Sequence, residues 1–136
     1  MLRRPGLWFT AVAIWFVALF LLSNQSALQP PGPEFENRDK VYHVGYFALG
    51  SLCLFVGLRL KNPARSVLKT ALLVLLFAAF VGAFDEFHQS FIPNRSGNDL
   101  GDWLADASGG IIGSLAGMVL LCMPGIRLKQ KQPCEP

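Results

Sequence analysis

Charge is what this sequence has least of. Asp, Glu, Lys and Arg supply only 15% of its 136 residues, whereas soluble domains carry about 25%. That shortage excludes an ordinary water-soluble fold and points to lipid as the solvent. Cysteine is scarce as well: Cys53 lies inside an apolar run, while Cys122 and Cys134 fall at or beyond the end of another. None is spaced as a metal pair or set beside a general base, so neither a disulfide framework nor a thiolate site is expected. No soluble stretch interleaves basic and aromatic residues in a stripe, which removes nucleic acid as a partner. Repeats and low-complexity segments are missing too. Once the apolar runs are set aside, too little chain remains for a separate soluble enzyme, so residues 1–136 read as a single domain.

What the chain does have is apolar surface, with 52% hydrophobic residues. A hydrocarbon core of about 30 Å takes about 20 helical residues, and four stretches are long enough: about 7–23, 41–58, 70–92 and 103–123. The fold class that follows is all-α, a polytopic membrane protein built as a four-transmembrane-helix bundle. Arg3 and Arg4 precede the first run as they would in a secretory signal. That run is long, however, and Ala27 with Gln25 before it makes a poor cleavage site, so the helix is expected to stay.

Lys and Arg are unevenly shared between the two sides of such a bundle. Arg3, Arg4, Arg59, Lys61, Arg65, Lys69, Arg127, Lys129 and Lys131 fall on one side, and only Arg38, Lys40 and Arg95 on the other. Short cytoplasmic loops hold the excess of positive charge. The expectation is a multi-pass protein of the bacterial cytoplasmic (inner) membrane with both termini in the cytoplasm.

The acids are segregated in the opposite sense. Glu34, Glu36, Asp39, Asp85, Glu86, Asp99, Asp102 and Asp106 all belong to the outer loops or the outer helix ends, and His43 and His88 join them. Solubility alone would scatter acids over both faces, so this grouping marks a site at the extracytoplasmic membrane surface. Helical spacing sharpens it: Asp39 and His43 share a face of span two, and Asp85, His88 and Gln89 share one near the end of span three. Glu86 points about 100° away from that face. In span four Asp99, Asp102 and Asp106 continue into Gly109, Gly113 and Gly117, a small-xxx-small stripe that would seat the helix against a neighbour. Asp39 and Asp99 also suit helix caps. Asp85 is the most costly of these acids, because a carboxylate inside the membrane must find partners.

The blocks Asp39-Lys40-Val41-Tyr42-His43, Asp85-Glu86-Phe87-His88-Gln89 followed by Arg95, and Asp102-Trp103-Leu104-Ala105-Asp106 leading into Gly109 together resemble the VanZ-like family of small bacterial membrane proteins. The resemblance covers roughly residues 39–117. Asp106 stands where many members would carry Asn, and a hydrogen-bonding role fits either residue. The family is named for a member associated with resistance to the glycopeptide teicoplanin, so the resemblance implies an envelope role and a link to glycopeptide susceptibility.

Two functions compete on these residues. In the first, Asp39, Lys40, His43, Asp85, Glu86, His88, Gln89, Arg95, Asp102 and Asp106 form a pocket for a membrane lipid or lipid-linked envelope precursor, with Arg95 and Lys40 meeting phosphate. In the second, an enzyme acts on the same kind of headgroup, with His43, Asp85, Glu86 and Asp102 as candidate catalytic groups working by acid/base chemistry or through a divalent metal. No nucleophile stands out. Transport is disfavoured, since acids confined to one end leave no polar path across the bilayer. Asp85 is expected to face inward, oriented by Gln89, with Glu86 reaching toward His43. On this reading a metal held by both carboxylates would need helix three to end or distort near Phe84.

Overall fold

The structure, a computed structural model, describes residues 2–26, 32–123 and 126. Ala27, Arg127, Lys129, Lys131 and Cys134 lie outside the described residues. The chain forms four helices, α1 Pro5–Ser23, α2 Arg38–Lys61, α3 Val67–Gln89 and α4 Leu100–Cys122, and no strand among the described residues. Each helix is long and apolar enough to cross a membrane. Large apolar side chains dominate their outer faces, with Phe80 73% exposed and Leu76 66% exposed, a surface that suits hydrocarbon better than water.

Local chemistry sets the helix ends. Pro5 opens α1 at a position whose N–H would be unpaired anyway, and the Asn24 side chain closes it by donating to the Phe20 carbonyl at 2.7 Å. Ser66 Oγ caps α3, and Asp99 caps α4 by accepting the Gly101 N–H at 2.6 Å. At α2 the cap is Asn37 in the left-handed region, and Asp39 sits in the first turn without capping. Span three stops at Gln89, short of residue 92. The chain there coils into turns in which Ile92 and Arg95 donate to the Gln89 and Ile92 carbonyls, and Asn98 N–H returns to the Glu86 carbonyl at 3.2 Å. Asn94 and Asn98, both at positive φ, allow that tight return.

α2 and α4 are the closest pair, with α3 packed on α4 and α1 on α2. The glycine stripe makes this approach possible. A Cβ at Gly109 would lie 2.7 Å from the Val44 carbonyl oxygen and one at Gly117 2.8 Å from the Phe55 ring, while Gly113 presses on the Ala48 carbonyl. Gly110, on the next face, meets Ala78 of α3. Two indoles fasten the flanking helices: Trp15 Nε1 donates to the Tyr46 carbonyl at 2.9 Å and Tyr46 Oη returns a bond to the Trp15 carbonyl, and Trp103 Nε1 donates to the Ala79 carbonyl. Alternating helix directions bring the end of α1, the start of α2, the end of α3 and the start of α4 to one end of the bundle.

Candidate functional site

That end collects the polar residues into two adjoining groups. The first lies among α2, α3 and α4. Lys40 Nζ reaches Asp102 at 3.0 Å, Asp39 at 3.3 Å and Asp99 at 3.4 Å. One turn further, His43 Nδ1 meets Asp106 Oδ1 at 2.9 Å and its Nε2 faces Asp102 Oδ2 at 3.9 Å. Glu86 comes in from α3, where its Oε2 accepts the Asp99 N–H at 2.7 Å and so ties α3 to the cap of α4. The Gly101 N–H bound to Asp99 holds that carboxyl below the usual carboxylate range.

The second group joins α3 to α1. Asp85 accepts from Ser23 Oγ at the last turn of α1 and from Gln89 Nε2 at 2.7 Å, and Gln89 Oε1 takes two bonds from Arg95, at 3.1 Å and 2.6 Å. The Asp85 carboxylate thus has hydrogen-bonding partners on both oxygens, as an acid within a membrane-spanning helix needs. Adjacent acids on one helix are both buried, Asp85 5% and Glu86 3% exposed, because α3 is covered on one side by α1 and on another by the start of α4. Three buried polar atoms lack a hydrogen-bond partner among the described residues: Glu86 Oε1, Asp106 Oδ2 and His88 Nδ1.

Of the residues singled out in the sequence, Lys40, His43, Glu86, Asp102 and Asp106 meet in the first group and Asp85, Gln89 and Arg95 in the second. Asp39 stays exposed at the rim. His88 turns the other way, its ring 5.2 Å from Phe20 of α1. Ser23 escaped the sequence reading. Its one signal is position, a serine ending an apolar run at the membrane level that Asp85 occupies.

Beside both groups a groove of about 460 Å³ opens between α1 and α2. Leu19, Leu22, Tyr46 and Leu49 make its apolar wall, and His43, Asp85, Gln89 and Arg95 its polar end.

The family comparison matches VanZ/LLP1 over residues 7–121, a span that reaches into all four helices. The chain belongs to the VanZ/LLP1 family. No curated protein and no solved structure matches it. As a VanZ/LLP1 membrane protein it carries both polar groups and the glycine stripe within the matched residues, so they are parts of the family domain and not appendages to it.

Proposed function

We propose that the protein is a lipid-binding module of the bacterial envelope, taking an anionic lipid or lipid-linked precursor with its chain in the groove and its headgroup at the polar end. The observation that carries this reading is the composition of the groove, an apolar wall ending in Asp85, Gln89 and Arg95 within one cavity. An amphiphile divides in the same way. Its volume lies within the range of about 300 to 1,000 Å³ usual for small-molecule sites. Arg95 is the better phosphate partner, since Lys40 is already matched to three carboxylates while Arg95 spends its bonds on a neutral amide and keeps donors for a phosphate. On this reading a link to glycopeptide susceptibility, which the family's namesake has, would run through the lipid held here.

The enzyme alternative draws on His43, Asp85, Glu86 and Asp102 and is weaker for want of a nucleophile. Ser90 and Ser108 donate to carbonyls of their own helices, and Ser23 donates to Asp85.

On the charge count we read the polar end as facing out of the cytoplasmic membrane and both termini as cytoplasmic. A unique cysteine replacing exposed Ser96, in the α3–α4 loop, is expected to react with an impermeant maleimide in intact spheroplasts. Reaction only after permeabilisation would invert the orientation.

Lipid analysis of the purified chain tests the binding itself. The wild type is expected to retain anionic lipid in detergent, and Arg95→Glu to lower that retention at least about tenfold, a loss of about 1.4 kcal/mol. Equal retention by both proteins, or no preference for anionic over zwitterionic lipid, would contradict the proposal.

A further inference from the structure

We infer that His43, Glu86 and Asp102 form a binding site for a divalent transition-metal cation, zinc being the best match. Each of the three offers a ligand atom, and these atoms lie within 4.8 Å of one another. They come from three helices, so the site is made by the bundle and not by one acidic stretch.

Two further observations point to a cation. Glu86 is 3% exposed, and with Oε2 taken by the Asp99 N–H its Oε1 is buried without a partner. Leaving a buried acceptor unpaired is costly, the more so for a charged group, and a cation removes that cost. The second is the setting of His43. Its Nδ1 is held at 2.9 Å by Asp106, which is 0% exposed, so a proton on Nδ1 leaves the Nε2 lone pair facing Asp102. A metal-binding imidazole almost always gives its other N–H to a carboxylate or carbonyl, which fixes the tautomer and raises the basicity of the ligating nitrogen. Asp106 is thus a positioning residue.

Charge agrees with this assignment. Glu86, Asp99, Asp102 and Asp106 gather here with Lys40 among them, and Lys40 takes Asp102 Oδ1 while Oδ2 faces His43. One imidazole and two carboxylates favour zinc over magnesium or calcium, which prefer all-oxygen sites. Three protein ligands leave a coordination position for water or a headgroup oxygen, and His43 also lines the groove. The site stands independently of the lipid reading.

The test uses the full chain, purified through a tag without histidine, stripped with chelator and titrated with Zn²⁺ in detergent. One tightly held zinc per chain is expected. His43→Asn, Glu86→Gln and Asp102→Asn should each weaken it at least about 100-fold, and Asp106→Asn by about 10- to 100-fold, as removing such a supporting group does. Asp85→Asn should leave the zinc in place, whatever it does to lipid retention. X-ray absorption of the wild type needs no variant to fold: a shell of nitrogen and oxygen at about 2.0 to 2.2 Å is expected. No stoichiometric zinc, a sulfur-containing shell, or zinc that survives both His43→Asn and Glu86→Gln would overturn the inference.

Discussion

Gly113→Leu is expected to leave no folded bundle in detergent. The glycine lies against the Ala48 carbonyl, with Ser51 Cβ at 2.7 Å and the Leu52 N–H nitrogen at 2.8 Å from where a Cβ would be. Two of these three neighbours are backbone atoms of α2 that no rotamer change can move aside. Overpacking a core usually costs about 1 to 3 kcal/mol, and pushing whole helices apart takes the cost to the upper end or beyond. A total stability of about 5 to 15 kcal/mol leaves little margin. The damage would also spread, because α4 carries Asp102 and Asp106 and α2 carries Lys40 and His43, so both sides of the polar cluster separate together. Size-exclusion profiles and thermal unfolding check this against Gly45→Ala, where a Cβ meets nothing within 4 Å. The control should unfold at or slightly above the wild-type temperature, since alanine is the better helix former. A stable, monodisperse Gly113→Leu protein would show that α2 and α4 do not touch as described.

Gly45→Phe is expected to empty the groove without harming the fold. Gly45 lines the cavity from α2 and has open space around it. A phenyl ring there occupies the volume an acyl chain would use, while every polar partner at the end of the bundle is untouched. The predicted signature is therefore a split result: unfolding temperature within a few degrees of wild type, and lipid retention lower by at least about tenfold. Loss of both together would reduce the result to misfolding, and loss of neither would place the lipid elsewhere.

The parts of this fold that were legible in the sequence are those dictated by solvent. An apolar run long enough to cross a bilayer, a Pro or Asp at its start, and acids massed at one end are each imposed by the cost of burying charge or leaving backbone unpaired. Asp99 as the α4 cap and Gln89 as the partner of Asp85 follow from spacing along one helix. What crosses between helices was harder to see. Asp85 and Glu86 point about 100° apart on α3, yet both are buried, because covering α3 from two directions gives each acid its own partner, Ser23 and the Asp99 N–H. For the same reason the metal-capable set draws Glu86 without Asp85, and α3 runs unbroken past Phe84 to Gln89. Ser23 was invisible for want of any local pattern.

If the groove between α1 and α2 holds a lipid whose headgroup meets the polar end, an anionic phospholipid with a photoreactive diazirine in its acyl chain, cross-linked in membranes and mapped by mass spectrometry, will mark that groove. Adducts are expected to concentrate on Leu22, Tyr46 and Leu49 and to disappear in Gly45→Phe. Adducts spread evenly over the outward-facing Leu76 and Phe80 of α3, or unchanged in Gly45→Phe, would contradict it.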